Sequence, residues 1–375
     1  MIRDFYFDRT LVICFLILII LGVIFVFSAT SVPSLINNKD PYYYLKREIL
    51  WSAVSILFMF ALYLIPIDFL KKISYPLVLI TIFLLIAVLI IPAEISGTSV
   101  KRWLDLGIAR FQPSELAKLS TVFFLAYYIH RKKSNPDFFK SWNSLLIAFS
   151  IPSIIIFLIL IQPHKGAAVF IAVLTFSIIF SSGFSWKKVM VFPALFFPLF
   201  VFFVISSEYA EKRIQAMINP VENRTGISYQ VFQSILSFVK GGLTGEGIGG
   251  GTQKLKYLPE IHTDYIFALI GEELGFLGAV FVILVFLLIL YRGLKISLNL
   301  EDTFSQVLGI GITYMIVIQA FFHMAVNTSL FPPTGFTLPF ISYGGSSLLI
   351  MSAAAGILLR LSKEPKQTIY RREVA

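Results

Sequence analysis

Asp264 closes the run Tyr257-Leu-Pro-Glu-Ile-His-Thr-Asp264 and stands at the entrance to a long apolar stretch, residues 265–290. Glu260 and His262 lie just ahead of it. A carboxylate where water meets lipid is costly to keep, which marks it as a functional candidate. Its natural chemistry is proton transfer: it can accept a proton from a substrate that itself sits half in a membrane.

A second polar group lies in the segment Gly97–Lys118. It contains Lys101, Arg102, Trp103, Arg110, Gln112, Ser114, Glu115 and Lys118. Pro113 suits the first turn of a helix, where its missing N–H would be unpaired anyway. Glu115 and Lys118, three apart, then share one helix face. Lys46 and Arg47 add two more cations. Guanidinium and ammonium groups gathered in this way suit an anionic ligand, such as a lipid bearing phosphate. The plainer reading is a belt tryptophan, a self-neutralising Glu–Lys pair and basic side chains snorkelling to lipid heads. His164, in the turn Gln162-Pro-His-Lys-Gly166, could titrate near neutral pH. The run Phe331–Ser347, with Ser342 and Tyr343, is rich in Pro, Gly and hydroxyls. It reads as irregular backbone lining a cavity at membrane depth.

Other chemistries find no template. There is no P-loop, dinucleotide-binding glycine fingerprint, His-Glu-x-x-His motif or Gly-x-Ser-x-Gly elbow. Four His and one Cys, Cys14, make a transition-metal or disulfide framework a poor fit. Carboxylates near phosphates leave room for a hard divalent ion, Mg²⁺ or Mn²⁺, close to Asp264.

The elements that must hold these residues are membrane helices. Hydrophobic residues make up 57% of the 375 and charged residues 14%, where a soluble chain would have about a quarter charged. Mean hydropathy is +0.83. Ten apolar segments are long enough to cross a hydrocarbon core about 30 Å thick: 10–29, 48–66, 73–93, 112–130, 142–161, 166–184, 189–206, 264–290, 303–326 and 343–361. The fold class expected is an all-α polytopic membrane protein of one domain, 1–375. The first segment, flanked by both acids and bases, is not a cleavable signal. With the N-terminus inside, 17 of the 31 basic residues but only eight of the 21 acids fall on the inner side. That places nearly all of the formal +10 there, as the positive-inside rule requires. Both termini are then cytoplasmic, the charge reports orientation, and no nucleic-acid partner is needed.

Three outer connections are long: 30–47, 94–111 and 207–263. The third should be structured, with a helix over 229–239 lying in the interface. The glycine-rich run Gly245–Gly251 reads equally as a linker or as backbone that approaches another group closely. The basic cluster His130–Lys133 reads as a topology anchor, and the tail 363–375 as a polar extension.

Three long motifs, in order, carry a family resemblance. They are Lys101–Lys118 (Lys-Arg-Trp-Leu-Asp-Leu-Gly-Ile-Ala-Arg-Phe-Gln-Pro-Ser-Glu-Leu-Ala-Lys), Tyr257–Gly275 and Thr337–Ser347. The chain resembles the SEDS family (shape, elongation, division and sporulation) of membrane glycosyltransferases over nearly its whole length. The run Gln253–Glu260, the triplet Gly271-Glu272-Glu273 and Gly344–Ser347 are more similar to the division branch than to the elongation branch. The resemblance implies that lipid II, a disaccharide-pentapeptide on undecaprenyl pyrophosphate, is polymerised on the outer face of the cytoplasmic membrane. Asp264 would be the general base in an inverting transfer from which undecaprenyl pyrophosphate leaves. Substrate contacts are expected from Lys46, Arg47, Arg102, Trp103, Arg110, Gln112, Ser114, Glu115, Lys118, Glu260, His262, Ser342 and Tyr343. The resemblance also implies a class B penicillin-binding protein as transpeptidase partner, with other divisome or elongasome membrane proteins. One departure stands out: the family usually has an acid where this chain has His164-Lys165, so no role of that acid transfers. A lipid II flippase and a non-catalytic division scaffold remain as alternatives. The flippase reading lacks a matching polar cluster on the inner side, and the scaffold reading leaves the outer acids and cations unexplained.

Overall fold

The computed structural model describes residues 7–91, 102–105, 107, 110–135, 137–195, 208–218, 226–255 and 258–363. It is predominantly helical. Helices α1 (Arg9–Asn38), α2 (Tyr43–Leu64), α3 (Ile67–Ile90), α4 (Pro113–Lys132), α5 (Trp142–Ile161), α6 (Lys165–Ser181) and α7 (Trp186–Val189) come first. They are followed by α8 (Glu208–Ile218), α9 (Gly226–Gly241), α10 (Ile266–Glu273), α11 (Gly275–Leu298), α12 (Thr303–Asn327) and α13 (Gly345–Leu361). Among the described residues, six helices are long and apolar enough to cross a membrane: α1, α2, α3, α5, α11 and α12. The shorter apolar helices α6 and α13 join them.

Helix α4 is different in kind. Its buried residues include Ser114, Glu115, Lys118, Ser120 and Thr121, and it packs among α3, α6 and α12. A helix enclosed on nearly all sides can carry polar groups only if other protein groups meet them. α2 and α13 run against each other closely because Gly356 has no side chain: a Cβ there would fall 2.2 Å from the Met59 carbonyl oxygen. Small residues at such contacts let membrane helices approach to backbone distance.

Side-chain pairs knit one end of the bundle. Asp8 accepts from Leu11 N at the start of α1 (3.0 Å) and pairs with Arg292 of α11, while its own N–H donates to Ser362 after α13 (3.0 Å). Asp302 caps α12 and pairs with Lys71 (3.1 Å) and His130 (3.3 Å). This end therefore gathers helix termini that the charge distribution assigns to one side. From it, the 25 residues of α12 rise about 1.5 Å each to reach Asn327 beside Asp264.

Several expectations are revised. The span expected over 264–290 is two helices, broken at Leu274–Gly275, and the longer piece runs on to Leu298. Gly275 takes φ +69°, and the glycine-rich run docks into the break. Phe276 N donates to Gly242 O (2.9 Å), and Glu246 N and Gly247 N donate to the carbonyls of Glu272 and Glu273 (each 3.0 Å). A Cβ on Gly245 would lie 2.2 Å from the Glu273 carbonyl oxygen, so close backbone approach accounts for that glycine, while Gly247 and Gly249 supply positive φ (+87° and +86°) in open space. The helix expected over 229–239 exists as α9. It packs against α10 and α12, and Ser234 donates to the Asn327 carbonyl (2.7 Å), so protein covers that side of it. Two short antiparallel strands, β1 (Leu104–Asp105) and β2 (Arg110–Phe111), add a small hairpin to the all-α expectation. The span expected over 189–206 lies outside the described residues beyond 195, as do Lys101 and the tail beyond 363.

Candidate active site

Asp264 sits in the last turn before α10, with Tyr265 at the helix cap. The turn is built by Glu260, whose carbonyl accepts from Thr263 N (3.1 Å) and Asp264 N (2.9 Å). Glu260 holds φ +52°, an uncommon backbone state for a residue with a side chain. The final loop, residues 331–344, clasps the same turn. Ser342 Oγ donates to Thr263 O (2.7 Å) and accepts from Leu338 N (2.8 Å), and Tyr343 N donates to His262 O (3.0 Å). The rings of Tyr44, His262 and Tyr343 pack together with centroids 5.3–5.6 Å apart. Arg47 stacks over Tyr43 at 4.4 Å, and its charge acts on the Tyr343 phenol.

The Asp264 carboxyl is half-buried. Burial and then the nearby negative charge of Glu260 push its pKa up to about 7, against smaller downward pulls from Thr263 and Arg213. A carboxyl that exchanges its proton near neutrality is suited to general-base work. Gly335 faces it: a Cβ at that position would stand 3.2 Å from Oδ2. Any side chain at that position would crowd the carboxyl.

Two further polar groups lie close by. In one, Arg102 donates to the carbonyls of Gln162 and Pro163, and Ser114 Oγ meets His164 Nδ1 at 3.3 Å. Burial first, then the charges of Arg102, Lys118 and Arg213, drive the His164 pKa down to about 3. His164 is therefore neutral across the physiological range, which corrects the expectation that it titrates near pH 7. In the other, buried Lys118 pairs with Glu115 (2.6 Å) and donates to Gln319 Oε1 (2.6 Å), with the Phe170 ring 5.2 Å away. Gln319 Nε2 passes the contact on to Thr337 O (3.1 Å) and Oγ1 (3.0 Å), and Thr337 meets Ser347 (2.8 Å). A polar path thus runs from the α4 pair to the loop that carries Gly335.

The structure brings Asp264, Glu260, His262, Ser342, Tyr343 and Arg47 into one cluster, with Arg102, Ser114, Glu115 and Lys118 in the adjoining groups. Arg110 and Gln112 are fastened through their backbones to Ser346, whose Oγ donates to Arg110 O (3.0 Å); the Arg110 side chain is exposed. Trp103 is half-buried ahead of β1. Lys46 stands apart, in an exposed pair with Asp40 (2.9 Å), because residues 40–46 close on themselves at the start of α2. Among the described residues no cluster of three or more His, Cys, Asp or Glu could hold a metal ion. A cleft of about 410 Å³ lies elsewhere, between α1, α2 and the glycine run, lined by Phe27, Leu45, Ile248 and Lys254.

Four residues at the site escape the sequence reading. Arg213 of α8 is close enough for its charge to act on Asp264, His164 and Tyr265, yet nothing in its own segment of the sequence ties it to Asp264. Gln319, His323 and Asn327 recur every fourth residue along α12 and are fully buried. That pattern, polar residues on one face of an apolar helix, was a usable signal.

The comparisons agree with this architecture. A family model described as cell cycle protein, covering FtsW, RodA and SpoVE, matches residues 8–367. A probable peptidoglycan glycosyltransferase FtsW of Trichlorobacter lovleyi is 37% identical over 363 residues, covering 95% of this chain and 93% of that protein. Its counterpart in Pasteurella multocida is 36% identical over 96% of this chain and 91% of its own length. In fold, the chain matches a peptidoglycan synthase complex studied for its coordination of polymerization and crosslinking, with TM-score 0.78, 24% identity and coverage of 96% and 99%. It also matches the rod shape determining protein RodA of Thermus thermophilus, with TM-score 0.70, 24% identity and coverage of 96% and 98%. The chain belongs to the FtsW/RodA/SpoVE family.

Proposed function

We propose that this chain is a peptidoglycan glycosyltransferase that polymerises lipid II, with Asp264 as general base. The observation that carries the reading is the Asp264 carboxyl: half-buried, its pKa pushed up to about 7 by burial and Glu260, and set against Gly335, where no side chain crowds it. The naming of the relatives supports the same activity.

In the reaction, the ionised Asp264 carboxylate accepts the proton of the acceptor sugar's 4-hydroxyl. The oxygen attacks the anomeric carbon of the lipid-linked donor and forms the glycosidic bond with inversion. The bond from that carbon to the phosphate oxygen breaks, and undecaprenyl pyrophosphate leaves with the electron pair. Arg102, Arg110, Lys118 and Arg213 are the cations at hand for its charge. Arg47 and Tyr343, packed beside His262, are placed to orient a sugar or headgroup. A divalent ion would find two nearby carboxylates, Asp264 and Glu260, and would need substrate oxygens to complete its shell; no step above depends on one.

The finer topology belongs to this proposal: ten spans, both termini cytoplasmic, and the Asp264 end of the bundle on the outer face of the bacterial cytoplasmic membrane. It is supported by the basic bias of the opposite end. A class B penicillin-binding protein is the proposed crosslinking partner, and septal wall synthesis the proposed setting, since the relatives quoted above carry the FtsW name. The test is glycan synthesis from lipid II by the purified chain with such a partner. Asp264→Asn should fold, bind lipid II and make no glycan. Turnover by that variant would remove Asp264 from the reaction, and lipid II crossing liposomes without polymerisation would turn the reading towards a flippase.

A further inference from the structure

The α12 stripe meets the catalytic turn and the closing loop at successive levels. Gln319, His323 and Asn327 are spaced four apart, so their side chains line one face of the helix, and each is fully buried. Gln319 holds Thr337, as described above. His323 Nδ1 meets Phe336 O at 2.6 Å, which makes Nδ1 a protonated, donating nitrogen. Asn327 holds the catalytic residue's own backbone: Nδ2 donates to Asp264 O (3.0 Å) and to His323 O (2.9 Å), and Oδ1 accepts from Ala268 N in the first turn of α10 (3.0 Å). Both ends of one amide are therefore spent on the junction between Asp264 and α10. Phe336 and Thr337, gripped by the other two members, directly follow Gly335, the residue that faces the Asp264 carboxyl. One rigid helix thus fixes both the carboxyl and the wall opposite it.

We infer that Asn327 is a positioning residue for Asp264, setting where its carboxyl stands relative to the acceptor hydroxyl without touching substrate. The inference rests on Asp264 acting as base, and it explains why a helix in an apolar bundle keeps three buried polar side chains on one face. A carboxamide is the side chain suited to the task. It offers a donor to a carbonyl and an acceptor to an N–H about one helical turn apart, and neither partner then goes unpaired. Releasing the Asp264 carbonyl would let the turn relax towards water. The groups facing Asp264 are Glu260, Thr263 and Tyr265 on its own segment and Arg213 from α8; none of them is changed by substituting Asn327, so a change in Asp264's behaviour would report its position.

The experiment compares Asn327→Ala and Asn327→Leu with Ser234→Ala in the full chain, purified with its transpeptidase partner. The leucine variant fills nearly the same volume without adding charge and removes both ends of the amide, so it remains informative if the alanine variant folds poorly. Ser234→Ala removes a hydrogen bond to the Asn327 carbonyl and leaves the amide in place, so it should behave as wild type. Both Asn327 variants should lose ~10- to 100-fold in kcat, with KM within about twofold because no substrate contact is removed. The acidic limb of their pH–rate profiles should move downwards by half a unit or more, as water reaches the carboxyl. An infrared titration of the Asp264 carboxyl band, isolated by difference against Asp264→Asn, should move with it. A uniform loss of rate at every pH, with limb and band unmoved, would overturn the inference and leave Asn327 a purely structural residue. A band that shifts in a protein whose Asp264→Asn variant still makes glycan would keep Asn327 as the anchor of that turn while removing the catalytic role proposed for Asp264.

Discussion

Asp264 and Glu273 stand nine residues apart on the same segment, and their surroundings differ in kind. Glu273 is fully buried and neutralised: its Oε1 receives Ser28 Oγ (2.6 Å) and Lys254 Nζ (2.7 Å). Lys254 spends its other protons on Ser28 Oγ (2.9 Å) and Gly249 O (2.6 Å). The neighbouring Glu272 receives Thr252 N, Thr252 Oγ1 and Gln253 N at 2.8–3.3 Å. These donors come from α1 and the glycine run, so the pair of glutamates ties the long loop to the bundle. Asp264 instead faces Glu260's negative charge and Gly335. One carboxylate is tied up by a cation and a hydroxyl from distant elements; the other, beside a like charge, is left ready to exchange a proton. An acid's sequence neighbours do not separate these roles. The partners delivered by distant elements do.

The largest difference should appear on neutralising each acid in turn. Asp264→Asn should abolish polymerisation, a loss of ~10³-fold, near the middle of the range for removing a general base. The fold should survive, and above neutral pH it should melt higher than wild type. The sign follows from the raised pKa. Below about 4 the carboxyl is protonated in both folded and unfolded chains and costs nothing. As pH rises from about 4 to about 7 the unfolded chain ionises first, so stability falls, by roughly 4 kcal/mol once both states are ionised. The substitution removes that cost, so its advantage in thermal melting should grow from pH 4 to pH 8. Glu273→Gln should do the reverse: it strips the counter-charge from buried Lys254 and should destabilise the fold by ~3 kcal/mol, while activity per folded molecule stays near wild type. Pairing it with Lys254→Met should restore much of the loss.

The same contrast shows what the sequence could and could not reveal. Asp264 is legible because it interrupts the approach to an apolar run, and the helical class is legible because each long segment is apolar throughout. Glu272 and Glu273 read as part of a motif, but their role depends on Ser28, more than 200 residues away, and no local pattern announces that. The break at Leu274–Gly275 follows the polar triplet Gly271-Glu272-Glu273, but the glycine run that enters it lies earlier in the chain, so the triplet alone does not announce a break. Helix α4 looks like an ordinary span, yet its Glu115 and Lys118 are tolerated only because Gln319 meets them from α12. The Gln319–His323–Asn327 stripe was visible as spacing, but its meaning required the loop it grips. Arg213 gave no signal at all.

A smaller effect should come from crowding the carboxyl. Gly335→Val places branched carbon where a Cβ alone would stand 3.2 Å from the Asp264 carboxylate. It should cut glycan synthesis ~10²-fold by displacing the reacting groups, and the melting temperature should change far less than in Glu273→Gln. An equivalent rate with the valine in place would mean that the substrate approaches Asp264 from another side.

The smallest and most diagnostic effects concern charge alone. Glu260→Gln keeps a side chain of the same length at the φ +52° position and removes only the negative charge beside Asp264. The acidic limb of the pH–rate profile should then move down from about 7, by less than one unit because burial is the larger cause of the elevation. Arg213→Gln should move it the opposite way, since that cation favours the ionised carboxylate. Added salt should shrink the Glu260 effect, because that side chain is exposed and its field is screened. Shifts of opposite sign from an acid and a base on different elements require a titrating group within reach of both, as Asp264 is. A limb that ignores both substitutions would assign the titration to some other group and dissolve the distinction between the two carboxylates.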